Sequence, residues 1–261
     1  MKMMLRACAL GMTLAIGSSA LASAIGQTVA SRVSVSSYQN ILDNELFTHN
    51  GMNKGIGGAQ HDPCRTNIAS RLQSYGFTVE LHPFTYNAVT YFNVIGTKTG
   101  HTFPNQQFIV SGHYDTTSNP GADDDASGIA AMLEIARVIS QFDTAYTIKF
   151  CAWDREEQGK VGSTAYVNTH PGAQIVGMVQ IDMIAHDAGT NQENLYGNGA
   201  SLPLKQALIN AATMYGNGIV FANAGDASFS DHAPFAAAGY QAVCFVEHNY
   251  IANNCYHQLC D

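Results

Sequence analysis

The sequence predicts an α/β fold: a single domain on a mixed, mostly parallel central sheet with helices on both faces. Three observations carry this. From residue 107 onward, short apolar runs alternate with segments of helical spacing, the pattern of a layered sheet. Residues 175–183 (IVGMVQIDM) form an almost unbroken apolar run, as a strand covered on both faces does. Before residue 107, two strand-like segments succeed each other directly (77–84, FTVELHPF, and 91–97, YFNVIGT), which places antiparallel strands at one edge.

At the N-terminus, Lys2 and Arg6 form a short positive region, an apolar stretch runs from Ala7 to about Leu21, and Ala22-Ser23-Ala24 supplies small residues for cleavage. Residues 1–24 therefore read as a secretory signal peptide. The stretch is shorter than the ~20 residues a membrane span needs and is diluted by Gly and Ser. The expected mature chain, residues 25–261, is exported, periplasmic or extracellular, and soluble. Residues 31–48 have helical spacing. GMNKGIGGAQ at 51–60 comes after no strand and reads as a flexible surface loop. Asp62-Pro63 opens a helix that runs to about Tyr75, with Gly76 at its end. QFIVSG (107–112) is a buried strand, 126–141 an amphipathic helix, and YTIKFCA (146–152) another strand. A short helix from Gly162 is stopped by Pro171; 202–215 is a helix and 239–246 a last strand. No Pro- or Ser-rich linker and no repeat divides the chain. The dinucleotide glycine fingerprint and the P-loop lysine motif are both absent.

At 46% hydrophobic and 10% aromatic, the chain is too apolar to be disordered. Twelve basic against 20 acidic residues give a net charge of −8, with no basic run, so nucleic acid and membrane surfaces are excluded as partners. Loss of Lys2 and Arg6 with the signal takes the balance to −10. Cys8 leaves too, and five cysteines remain, so at least one thiol is unpaired within a monomer. Export permits disulfides. Cys255 and Cys260 are close enough to clip a short loop, and no CxxC spacing suggests a thiolate zinc site.

The informative pattern lies at the C-terminal ends of the strands. IVSG runs into His113-Tyr114-Asp115, IKFCAW into Asp154-Arg155-Glu156-Glu157, GMVQI into Asp182, and CFV into Glu247-His248. Asp123-Asp124-Asp125 precedes the helix near Ala126, and His257 lies in the loop after the last strand. Sites in open α/β sheets form at the carboxyl ends of strands. Taken singly, these residues have ordinary readings. A lone His113 is more often a satisfied core histidine, Asp123–Asp125 suit a helix start, and Glu156-Glu157 suit a solvated loop. A cap needs only one Asp, however, the glutamates come directly after a buried strand containing Trp153, and Asp182 has no polar neighbours in sequence. Converging carboxylates repel unless a cation neutralises them. Lysines and arginines are scarce, so bound metal is the simpler answer, and His with carboxylate oxygens suits zinc at an open catalytic site. His49, His61, His82, His101 and His170 read as surface residues. His186, His232 and His248 fit the strand-end pattern less well than His113.

Six strings, in order, resemble one family: SGHYDT (111–116), PGADDDASGIAAMLEIARV (120–138), DREEQGKVGS (154–163), GMVQIDM (177–183), SDHAPFAAAGY (230–240) and CYHQLCD (255–261). They look like the secreted zinc aminopeptidases with two co-catalytic metals, of the bacterial leucyl aminopeptidase type. The resemblance implies that His113, Asp124 and Asp182 hold one zinc, and that Glu157 and His257 hold a second, with Asp124 bridging the two. It makes Glu156 the general base, Asp115 the partner that orients His113, and Tyr256 a hydrogen-bond donor to the reacting carbonyl. It also implies a Cys255–Cys260 disulfide. The implied reaction is removal of N-terminal, mainly apolar residues from peptides by a monomer with two zinc ions. Members of this family continue past CD into a final helix that this sequence does not contain, so it reads as a truncated chain or a shortened member. The alternatives are a carboxypeptidase or glutaminyl cyclase of the same fold, or a binding protein that kept the fold without catalysis.

Overall fold

The computed structural model describes residues 19–186, 189–216 and 218–261, so most of the expected signal peptide lies outside the described residues. Helix α1 (Ser19–Ser31) is followed by α2 (Val35–Glu45) and α3 (His61–Ser74), then strands β1 (Thr78–Tyr86), β2 (Val89–Lys98) and β3 (Phe103–His113). An irregular turn over 122–127 feeds α4 (Gly128–Ile139). The chain continues through β4 (Tyr146–Trp153), α5 (Val161–Thr169), β5 (Gln174–Ile181), β6 (Gln192–Tyr196), α6 (Leu202–Tyr215), β7 (Val220–Gly225), α7 (His232–Ala237) and β8 (Ala242–Glu247).

The eight strands form one sheet in the order β1-β2-β4-β3-β5-β8-β6-β7. Its centre, β4-β3-β5-β8, is parallel throughout. The β1-β2-β4 edge is antiparallel, as the early strand pair predicted. β6 pairs antiparallel with β8 and carries β7 parallel at the other edge. These two short strands, and α7, were not legible. QENLY is mostly polar and VFANAG is mostly small residues without clear alternation, and only their neighbours make strands of them.

Alternation along the central strands sends side chains to two cores. Phe108, Val110, Phe150, Val179, Val243 and Phe245 face the larger core, which α2, α3, α4 and α6 cover. Ile109, Trp153, Met178 and Ala242 face the other, closed by Tyr166 of α5 and Phe235 of α7. α1 packs on α6 through Ala30, Ala211 and Tyr215.

Two surface assignments are corrected. In the 51–60 loop, Lys54 is 1% exposed and its Nζ donates to the Leu46 carbonyl at 2.9 Å. The same loop packs so closely that a Cβ on Gly55 would lie 2.6 Å from the Ser118 amide nitrogen. His61 and His82 are buried rather than on the surface, and His232 is buried too. A polar residue in a polar stretch gives no sign of burial when its partners lie far away in sequence. Asp154 is that partner for His61, and Thr169 for His82.

Candidate metal centre

Four parallel strands end on one rim, and the polar residues after them meet there. One cavity is lined by His113, Asp124, Glu156, Glu157, Asp182, Tyr256 and His257 on its polar side. Met183, Phe229, Val246 and Tyr250 form the rest of its wall. All seven residues that the sequence proposes as metal ligands or catalytic groups are in this set.

Asp124 sits in the middle. Its Oδ1 is 3.0 Å from His113 Nε2 and its Oδ2 is 2.9 Å from His257 Nε2. His113 Nε2 is also 3.7 Å from Asp182 Oδ1, and His257 Nε2 is 3.3 Å from Glu157 Oε2. Two donor groups, each within 4.8 Å, can hold a metal ion: His113 with Asp125 and Asp182, and Asp124 with Glu157 and His257. Asp125 is near the first group, but backbone amides already occupy its oxygens. Oδ2 accepts from His113 N at 3.0 Å, and Oδ1 from Gly128 N at 2.9 Å and Met183 N at 3.3 Å. It ties three elements together under the site. The close approach requires glycine, since a Cβ on Gly112 would lie 2.9 Å from Asp125 Oδ2, and one on Gly128 would collide with the Ile181 carbonyl and Asp125. Asp124 instead presents one oxygen to each imidazole.

The surroundings aim these donors. Asp182 Oδ2 accepts from the Ser230 hydroxyl at 2.5 Å. His113 Nδ1 lies 3.1 Å from the Asp115 main-chain carbonyl and 3.7 Å from the Asp115 carboxylate, so the nearer orienting partner is the backbone. The Asp115 carboxylate instead accepts from Glu156 N at 3.1 Å and Glu157 N at 3.3 Å. Asp261 Oδ1 accepts from the amides of Asp123 at 2.9 Å and Asp124 at 3.3 Å. Ser230, Asp125 and Asp261 were missed as contributors, although Ser230 and Asp261 stand inside the SDHAPF and CYHQLCD strings. The Cys255–Cys260 disulfide is present, with a Cα–Cα distance of 5.1 Å, and it closes the loop that carries Tyr256 and His257. Cys64, Cys151 and Cys244 are buried thiols.

The electrostatics describe groups that need a cation. Burial pushes the Glu157 carboxyl up to about 7 and Glu156 well above its ordinary range. Burial would also raise Asp124, but the imidazoles of His113 and His257 hold it well below the usual carboxylate range. Burial would lower His113, but the carboxylates of Asp115, Asp124 and Asp182 outweigh it. Hydrogen bonds to Asp124 and Glu157 lift His257 to about 10. Glu157 Oε1 is buried with no hydrogen-bond partner. Such an oxygen is costly unless something binds it. Imidazole nitrogens with carboxylate oxygens in two neighbouring groups have the donor chemistry of a zinc site.

The chain belongs to Peptidase family M28, whose model matches residues 93–261. The leupeptin-inactivating enzyme 1 of Streptomyces exfoliatus is 32% identical over 200 residues, covering 74% of this chain and 44% of that one. This chain thus spans less than half the length of that relative. Among solved structures, the LapA aminopeptidase of Legionella pneumophila aligns with a TM-score of 0.74 at 21% identity, over 90% of this chain and 67% of that one. A glutaminyl cyclase of Bacteroides thetaiotaomicron aligns with a TM-score of 0.70 at 18% identity, over 87% and 90%. These two likenesses define the fold, which hosts more than one reaction; the chemistry is decided by the site.

Proposed function

We propose that the chain is an exported zinc aminopeptidase that removes N-terminal, mainly apolar residues from peptides, with two zinc ions held by His113, Asp124, Asp182, Glu157 and His257. One observation carries this: five donors, a further carboxylate and a tyrosine share one cavity whose remaining wall is mostly apolar. Zinc, when bound there, polarises a scissile carbonyl and lowers the pKa of water from 15.7 toward ~7. Glu156 takes a proton from the attacking water and returns it to the leaving amine. Burial raises the Tyr256 phenol, so it stays protonated and can donate to the carbonyl oxygen as negative charge develops. The carboxylate rim attracts a free α-amine, and Met183, Phe229, Val246 and Tyr250 suit an apolar side chain. The signal peptide over 1–24 accounts for export, and no described helix is long and apolar enough to cross a membrane.

The glutaminyl cyclase reading is the competitor. Glu157 and His257 give Asp124 a set of partners separate from His113 and Asp182, which favours a two-ion centre and hence the aminopeptidase reading. The test is a panel of aminoacyl-nitroanilides and N-terminal glutaminyl peptides, each with and without chelator. Chelator-sensitive release from leucine nitroanilide supports the proposal. Cyclisation of glutaminyl peptides without nitroanilide hydrolysis overturns it.

A further inference from the structure

The turn between β4 and α5 presents Glu156 and Glu157 to the cavity. Its inner face is held partly by residues that precede the family-matched region. Asp154, which opens the turn, is fully buried. Its Oδ1 is 2.9 Å from His61 Nε2, its Oδ2 accepts from the Tyr114 hydroxyl at 2.9 Å, and its amide donates to Asn93 Oδ1 at 3.0 Å. Arg155 comes next, with φ of +62° and 1% exposure. Its guanidinium carbon lies 4.0 Å from the Tyr91 ring centroid, its Nη2 is 3.4 Å from His61 Nε2, and its Nε is 3.6 Å from Asp154 Oδ1. A long side chain in the left-handed region is uncommon, and so is a buried guanidinium without an aligned carboxylate. Both persist only where the surroundings over-determine them.

We propose that His61 and Arg155 are positioning residues that set the aim of the two glutamates. His61, at the start of α3, holds Asp154 from one side. Arg155, pressed on Tyr91 of β2, anchors the reversed step between Asp154 and Glu156. Asp115 grips the amides of Glu156 and Glu157 from the other side. The turn is thus clamped between the N-terminal part of the chain and the rim of the sheet, and neither His61 nor Arg155 is among the residues that line the cavity. The roles of Glu156 and Glu157 rest on the function proposed above, but the clamp itself is geometric.

The experiment compares wild type with His61→Leu and Arg155→Met in the full chain, reading kcat, KM and retention of zinc against a chelator, with unfolding curves to confirm folding. Misaimed catalytic groups cost rate rather than substrate affinity, so kcat should fall between about 10- and 100-fold with KM little changed. Zinc should also be lost at lower chelator concentration, because Glu157 rides on the same turn. His61→Gln, whose amide can still donate to Asp154, should recover most of the rate. A kcat within about twofold of wild type in folded variants, with unchanged zinc retention, overturns the proposal, as does a loss confined to KM. If His61→Leu does not fold, Arg155→Lys, which keeps the stem and charge but not the planar fork, carries the same test. If the wild type itself does not turn over leucine nitroanilide, the proposed reaction fails while zinc retention still reads the clamp.

Discussion

At the residue scale, the different tasks proposed for the adjacent glutamates rest on a turn, not a strand, presenting them. Both amides are held by Asp115, so the turn cannot slip by one residue without losing both hydrogen bonds. Glu157 reaches the Asp124–His257 side, and Glu156 does not. Glu156→Ala should therefore keep its metal and fold but lose turnover by ~10²–10⁴-fold, the usual contribution of a general base. Glu157→Ala should lose part of the metal. Metal analysis beside initial rates on leucine nitroanilide checks both, and zinc loss in Glu156→Ala instead would exchange the two roles. Asp182→Asn should bind less zinc than wild type, since it weakens the His113 side of the pair. A full complement of metal in that variant would remove Asp182 from the ligand set.

At the element scale, the loop over 255–261 contributes His257 to the cavity and Asp261 to the Asp124 amide, and its disulfide joins the residues on either side of His257. Replacing both cysteines by Ser should cost about 2–3 kcal/mol of stability. The same variant should release zinc at lower chelator concentration, because His257 is held by that closure; unchanged release would mean that packing alone fixes the loop. The β6–β8 pair carries a different stress. Glu193 stands directly across from Glu247, and each has a buried oxygen without a partner. Like charges opposite each other destabilise a strand pair. Burial raises Glu193 from 4.5 to about 8, so the fold favours its neutral form. That contribution is full below the unfolded value and is lost as pH rises through about 8. Glu193→Gln should leave the Tm unchanged in acid and raise it at pH 9. Equal melting of the two proteins at pH 9 would show that the charge is relieved some other way.

At the scale of the whole molecule, most of the layered architecture was legible because the central strands obey one rule, continuous burial, and the helices another, helical spacing. The cavity was legible for a related reason: parallel strands deliver their C-terminal residues to one rim, so acids and histidines written after strands converge. What was not legible depends on distant partners. His61 is buried against Asp154, Lys54 reaches the Gly121 carbonyl, and β6 pairs with β8, and none of these pairings leaves a local signal. Since the same rim gathers four carboxylates, metal should stabilise the fold by mass action, by about 4 kcal/mol at a thousandfold excess over Kd. Chelator should lower the Tm and added zinc restore it; a Tm indifferent to chelator would mean that the folded chain holds no metal there. The tie between Asp261 and the amide of Asp123 spans 138 residues, so the acidic half of the centre is synthesised long before the half that completes it. A growing chain therefore carries the aspartates with no His257 beside them. Under the function proposed above, the His257 side of the pair can hold metal only once the 255–261 loop has followed the aspartates in synthesis.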